Sequence, residues 1–399
     1  MANRSYKIDD KAILFMLLMV AFFGFPAIKG AFFTSHEARS VWEGRALAEL
    51  PRPGFDLQEW SDVPVKTDAY LQDHFGFAVS MNKAYRMMTI EVLAETKQDN
   101  ITVGEDGFLF LSDYNTDDRY SRLRSLCQVM VNPRHTEIIV PLWLALLEQF
   151  SARGYEVTLG IAPSKPGLYP DKLPDSVPAE LRKACLAYGS RLSSARVLAR
   201  SAAEAGFRVI YPYDEFAAVK DSPNFYPGEN FHWKGQSTHL FAELLFDAVG
   251  IGVDERFSAQ QTDIFAVSDV SNMLGYEVKF KMRIFDYSTF GIRHEKSAPE
   301  YMAGYFQGDW SPIGYMTTAH AMSERSALVV GNSFTTDIVT DLAPGYTNIL
   351  WFLTNTTAPQ DIAGLLETAL KNFQPDDIIF ITHDNALHKA NMLLHAIVH

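Results

Sequence analysis

At 399 residues with 47% apolar content, the chain can bury a large core and, on length alone, could form more than one domain. Its formal net charge of −13, with no basic stripe carrying interleaved stacking aromatics, argues against nucleic acid as a partner. No repeat at the roughly 20 to 50 residue periods of solenoids recurs and no low-complexity tract occurs, which sets aside the repeat and disordered classes.

The first segment with a clear physical meaning is Ala12 to Ile28, an almost uninterrupted apolar run extended by Ala31, Phe32 and Phe33 beyond Lys29. It approaches the ~20 residues that cross a bilayer as a helix. Arg4, Lys7 and Lys11 precede it, so the positive-inside bias places the N-terminus in the cytoplasm and the remaining chain outside. No clean small-x-small cleavage site follows, which favours an uncleaved signal anchor over a removed signal peptide. Residues 1–34 are therefore read as cytoplasmic tip and transmembrane anchor, 35–100 as a helical lead segment, and 101–399 as the main domain.

Strand and helix signals alternate along that domain. Glu156 to Ile161 and Phe207 to Tyr211 are strand candidates separated by a helical stretch, Leu181 to Ala205. Thr238 to Val249 has helical apolar spacing, while Leu328 to Val330, Asn348 to Leu353 and Asp377 to Ile381 supply further strands. Helical segments near Asp361 to Lys371 and Asn385 to Ile397 lie between or after them. Strands separated by helices predict an α/β fold with a parallel sheet flanked by helices, whose reactive loops gather at the carboxyl ends of the strands. Residues 254–325 break the rhythm and read as an insertion. Within it Glu277 to Phe285 alternates charged and apolar residues, so Lys279, Lys281 and Arg283 share one side of a strand. That basic ridge is a candidate contact for an acidic polysaccharide, or simply a charge-guarded edge. Tyr301, Tyr305, Phe306 and Trp310 are candidate sugar-stacking rings, or packing.

Two short motifs carry the chemistry. Gly331-Asn332-Ser333-Phe334 follows an apolar strand and precedes a helix, and a serine on such a turn exposes its hydroxyl and frees its own N–H for a developing oxyanion. Asn230-Phe231-His232-Trp233 offers His232 as base, beside a tryptophan that can wall its ring. His383 is the alternative base. His239, seven residues after His232, reads as structural, and Asp214 as a helix N-cap. Cys127 and Cys185 fit no metal motif; they pair in an oxidising compartment or stand as two buried thiols. Neither a cofactor nor a metal is implied.

These motifs, with Glu43 to Ala48 and Pro51, Tyr70, Asp73 to Phe77, Val103 to Phe110, Ala162 to Lys165, Tyr169-Pro170 and Leu173-Pro174, resemble in order those of the alginate O-acetyltransferase family of the AlgJ/AlgX type. Asp269 to Gly275 matches a further Gly-Asp…Met-Leu-Gly motif, with Ser268 in place of its glycine. The resemblance spans roughly residues 40 to 385 and implies an SGNH-hydrolase-like domain. It also implies a Gram-negative periplasmic location on an inner-membrane anchor, a multi-spanning acyltransferase partner that delivers acetyl groups, and an exopolysaccharide acceptor.

Two acids of the family pattern are replaced here. Asn332 stands for the aspartate of Gly-Asp-Ser and can still accept through its oxygen. Asn230 stands for the aspartate of Asp-x-His, where a serine triad needs its acid, and Glu229 is a substitute carboxylate. The expected reaction is acetyl transfer through an acetyl-serine, with Ser333 as nucleophile, His232 as base supported by Asn230 or Glu229, Asn355 as an oxyanion donor, and Lys279, Lys281 and Arg283 on the acceptor. A catalytically weak binding subunit or an acetyl esterase are the competing readings.

Overall fold

The computed structural model describes residues 16–18, 29, 47–52, 57–74, 77–89, 100–113, 117–274, 276–295, 299–305 and 312–398. The apolar run of Ala12 to Ile28 lies outside the described residues except at 16–18, and among the described residues no helix is long and apolar enough to cross a membrane. The chain divides into two compact units, Met1–Thr96 with Ser271–Glu277, and Lys97–Val270 with Val278–His399. The first contains helices Leu57–His74 and Ala78–Met87, and the Ala48 N–H donates to the Asp73 carboxylate at 2.7 Å.

The second unit holds the strands β1 (Ile101–Val103), β2 (Leu109–Leu111), β3 (Glu156–Ala162), β4 (Arg208–Ile210), β5 (Gln261–Val267), β6 (Lys279–Phe285), β7 (Ile292–His294), β8 (Ile313–Thr318), β9 (Ser326–Gly331), β10 (Asn348–Leu353) and β11 (Asp377–His383). Seven of them form one sheet in the order β4-β3-β11-β9-β10-β8-β7. The five from β4 to β10 are parallel, whereas β8 pairs antiparallel with β10 on one side and with β7 on the other. The five strands expected from the sequence are thus the parallel ones, and the sheet is mixed because β8 and β7, which the sequence reading did not name, extend it. Residues 319–325, between β8 and β9, are too few for the crossover that a parallel strand needs. The 254–325 segment is split in the same way: β5 and β6 pair with each other, while β7 and β8 extend the sheet.

Both faces of the central strands are covered, which is why β9 and β11 read as continuous apolar runs. Ala327, Val329, Ile379 and Ile381 face a layer that includes helices Gln236–Val249 and Thr335–Leu342; Leu328, Val330, Ile378 and Phe380 face the other. The long helix of that second layer, Pro133–Ser151, starts where Asn132 accepts the Arg134 N–H at 3.0 Å and Pro133 occupies the first turn. It buries Ile139, Trp143, Leu146, Leu147 and Phe150, one stripe at helical spacing. The single helix expected over Leu181 to Ala205 is two, Ala179–Ala187 and Ser194–Glu204, parted at residues rich in turn formers (Gly189, Ser190, Ser193). Asp214 is not the cap: it lies inside helix Tyr213–Val219 and grips Arg196 through both oxygens, at 2.8 and 2.5 Å.

A third apolar cluster gathers Phe110, Leu123, Leu126, Leu173, Val177 and Leu181 around Cys127 and Cys185, which form a disulfide across 58 residues. Closing a loop of that length stabilises the fold by roughly 4 kcal/mol on the chain-entropy model, with about 2–4 typical of measurement. Cys127→Ser is expected to lower the urea midpoint accordingly. Equal midpoints for the two proteins under oxidising conditions would remove the bond from the stability account.

His239 is structural, as expected: it stacks on Phe285 and Phe257 and meets Tyr287 Oη at 2.7 Å, while the Tyr287 hydroxyl donates to Asp341 at 2.5 Å. Burial raises the Asp341 carboxyl to about 6, although hydrogen bonds from Thr238 and Tyr287 favour its ionised form. An acid whose folded pKa lies above its unfolded value contributes fully only below the unfolded pKa, and the contribution is lost as pH rises through the folded one. The fold is therefore expected to lose roughly 3 kcal/mol at this site between pH 4 and pH 7.5. Asp341→Asn should flatten that slope in denaturant melts, and an unchanged slope would refute the assignment.

Candidate active site

Ser333 stands two residues beyond β9, on the turn into helix Thr335–Leu342. The turn is tight because Gly331 lies against the next strand: a Cβ there would sit 2.1 Å from the Ile381 carbonyl oxygen and 2.2 Å from Thr335 Oγ1. The Asn332 N–H donates to that Ile381 oxygen at 3.2 Å, and its side-chain oxygen accepts the Phe334 N–H at 3.1 Å. Asparagine thus performs the turn-holding task expected of an acid at this place.

The histidine loop reaches the serine from before helix Gln236–Val249. His232 Nε2 is 2.8 Å from Ser333 Oγ, and Nδ1 is 2.5 Å from Asp269 Oδ2. With Nδ1–H donating to the carboxylate, Nε2 is left to accept the serine proton. Asp269 also accepts the Phe231 N–H at 2.8 Å and the His232 N–H at 3.0 Å. Burial pushes the Asp269 carboxyl up, but the ring and the two backbone donors outweigh it and hold the group below its usual value.

The carboxylate at the ring is therefore neither Asn230 nor Glu229, which corrects both assignments. Asn230 is fully buried and ties two loops together: its Nδ2 donates to the His232 carbonyl at 2.9 Å and its oxygen accepts the Asp269 N–H at 2.9 Å. Glu229 contributes its backbone carbonyl, which accepts from Ser268 Oγ at 2.6 Å. Asp269 carries a signal in the sequence, as the acid of the Gly-Asp…Met-Leu-Gly match, but nothing local marks it as the partner of a histidine 37 residues away.

Phe231 and Phe334 wall the imidazole at centroid distances of 4.8 and 4.7 Å. Trp233, expected in that place, is instead buried and donates from Nε1 to the Phe334 carbonyl at 2.9 Å. His383 stacks on Phe334 at 4.5 Å and its Nε2 points toward Asp384, 3.5 Å away. Burial drives the His383 pKa well down, helped by the Arg122 and His232 charges, and drives the Asp384 pKa well up against the backbone hydrogen bonds from Ser164 and Asn385. The base position at Ser333 Oγ is held by His232, not His383.

Lys165 is fully buried beneath the histidine loop, where it donates to the carbonyls of Gly228 at 2.7 Å and Asn230 at 2.5 Å. Burial lowers its pKa to about 7, although Asp269 and Glu229 favour its charge. Asn355 sits exposed in the turn after β10, at the same edge of the sheet as Ser333, with no hydrogen bond to the triad. Lys281 and Arg283 share one carboxylate, each 2.9 Å from an oxygen of Asp263, so their two charges are only half offset; Lys279 is exposed. Tyr301 is half-buried and packs on the second core layer, whereas Phe306 and Trp310 lie outside the described residues, and the Tyr305 side chain is not described.

No family model matches the chain, and no curated protein does. Among solved structures it is similar to Bacillus cereus PatB1, with 16% identity over 72% of this chain and 96% of that one, at a TM-score of 0.47. It is also similar to the O-acetyltransferase domain of Pseudomonas putida AlgJ (13% identity, 74% and 99% covered, TM-score 0.42). A third likeness is to Pseudomonas aeruginosa AlgX (10% identity, 74% and 65% covered, TM-score 0.43). Similarities of this size carry no weight for the chemistry, which rests on the side chains.

Proposed function

We propose that the chain is a serine-dependent O-acetyltransferase that moves acetyl groups onto hydroxyls of an exopolysaccharide. The observation that carries this is the unbroken chain of contacts from Ser333 Oγ through His232 to Asp269. Ser333 Oγ attacks the carbonyl carbon of an acetyl donor while its proton passes to His232 Nε2. The donor's leaving group departs with that proton and the acetyl-serine remains. A sugar hydroxyl then gives its proton to the same nitrogen and attacks the ester, and Ser333 Oγ leaves and regains a proton from His232. Asp269 stabilises the imidazolium in both halves. The Ser333 N–H has no protein acceptor among the described residues, which suits it to the oxyanion.

The reading of the chain as a retired enzyme drew on the loss of an acid at position 230, and Asp269 removes that support. Esterase activity uses the same serine and histidine with water as acceptor. The disulfide fits an oxidising compartment and so supports a periplasmic domain on an inner-membrane anchor, supplied with acetyl groups by a multi-spanning acyltransferase. Incubation with an activated acetyl ester, followed by intact-mass spectrometry, tests the first half-reaction. One added acetyl group that is discharged faster by oligosaccharide than by water is the expected result; a folded protein without adduct or ester turnover would sink the proposal.

A further inference from the structure

Lys165 stands at the carboxyl end of β3, at the first position of the short helix Lys165–Leu168, two strands from the serine turn in the sheet. The residue before it is pinned, because the Ser164 N–H donates to Asp384 Oδ2 at 2.8 Å. The Lys165 side chain is only 2% exposed, and its Nζ lies 6.0 and 5.5 Å from the ring centroids of Phe108 and Phe110. Burying an amine in such a place is unfavourable, and a methionine would fill the same space without that cost. What the amine adds is direction: its hydrogen bonds end on two main-chain carbonyls of the histidine loop, Gly228 at 2.7 Å and Asn230 at 2.5 Å.

The Asn230 carbonyl belongs to the same planar peptide group as the Phe231 N–H. That N–H donates to Asp269 Oδ1 at 2.8 Å, and Asp269 Oδ2 lies 2.5 Å from His232 Nδ1. A single peptide therefore joins Lys165 to the triad acid, with an amine on its oxygen and a carboxylate on its N–H. A carbonyl that accepts a strong hydrogen bond makes its own peptide N–H a better donor.

Position passes along the same path. Lys165 fixes the peptide plane, the plane fixes Oδ1, and a fixed Oδ1 keeps the carboxylate from turning Oδ2 away from the ring. The Asn230 side chain closes the arrangement by binding the His232 carbonyl and the Asp269 N–H at 2.9 Å each. The charges agree with the geometry: Asp269 and Glu229 favour the charged form of Lys165 against its burial, and that attraction is mutual.

We propose that Lys165 is a positioning residue of the triad, acting through the Asn230–Phe231 peptide to hold the Asp269 carboxylate ionised and aimed at His232. Its consequence for turnover rests on the acyl-transfer reading.

The test compares turnover of an activated acetyl ester by the full chain and by Lys165→Met, each with Asp269 intact and with Asp269→Asn, below pH 7, where the amine is charged. Lys165→Met should lower kcat about a hundredfold and leave KM within about twofold, the size expected when a catalytic group is displaced by about 1 Å. In the Asp269→Asn background the same change should cost less than about threefold, because its target is already gone. A lysine that serves only the fold would cost the same in both backgrounds. Lys165→Gln keeps two N–H donors without the charge; it should fall between wild type and Lys165→Met, and it replaces the methionine variant if that one does not fold. A second readout needs no turnover: the NMR resonance of the His232 Nδ1 proton, held by Asp269, should shift in the Lys165 variant. Equal losses in the two backgrounds, a kcat within about threefold of wild type, or an unmoved resonance would each overturn the proposal. The two readings fail separately. A wild-type protein that forms no acetyl adduct loses the transfer chemistry while the resonance still tests Lys165, whereas one that forms the adduct but shows equal losses loses only the role of Lys165.

Discussion

Ser333→Ala is expected to abolish the acetyl adduct and to lower ester turnover by roughly four to six orders of magnitude, to the level that binding and oxyanion contacts alone sustain. The size follows from the arrangement of the site. Ser333 Oγ is the hydroxyl on His232 Nε2, and the alanine variant leaves that nitrogen with no nucleophile to activate. His232→Ala should cost nearly as much, because a serine hydroxyl without its base is a poor nucleophile at neutral pH. The double variant should be little worse than either single one, since the two residues act as a unit. Additive losses, or an adduct that persists in Ser333→Ala and maps to another residue, would place the nucleophile elsewhere. Stability is a useful control: Ser333 is half-buried on a turn whose backbone bonds come from Gly331, Asn332 and Thr335, so the alanine variant should melt close to wild type.

The parts of this picture that were legible in the sequence are those written in local pattern. The runs of β9, β10 and β11 were visible because both faces of a central parallel strand are buried and no polar residue interrupts them. Ser333 and His232 were visible because each sits in a short motif whose residues serve the turn itself. What was not legible depends on chain segments that meet only in the fold. Asp269 lies on a loop after β5, and its place at His232 is set by the buried Asn230 amide, which binds both loops at once. The antiparallel edge of the sheet was missed because β7 and β8 are short, half-exposed strands inside a segment dominated by the charged β6 pattern. The partner of the basic ridge was hidden for a related reason. Asp263, which pairs with Lys281 and Arg283, comes from the neighbouring strand, and a single strand's alternation does not reveal its partner's charges.

The second large effect concerns the acid. Asp269→Asn is expected to lower turnover by about four orders of magnitude with the fold retained, because an amide at this position can donate to Nδ1, which favours the wrong tautomer. Glu229→Gln should stay within about twofold of wild type, since that residue serves the site through its backbone. The sharper comparison is Asn230→Asp, which restores the acid of the family motif yet should reduce activity. The Asn230 Nδ2 donates to the His232 carbonyl, and a carboxylate there would set oxygen against oxygen in a fully buried place while adding a charge next to Asp269. A gain in turnover on Asn230→Asp would show that position 230, not Asp269, is the acid's place. The pH dependence separates the two as well. The Asp269 carboxyl is held below its ordinary value, so its contribution to stability is present above the unfolded pKa of about 3.9 and is lost as pH falls through the lower folded value. Acid unfolding of wild type should therefore include a carboxylate protonation below about pH 4 that Asp269→Asn lacks, and identical acid limbs for the two proteins would contradict the hydrogen bonds that hold the Asp269 carboxylate.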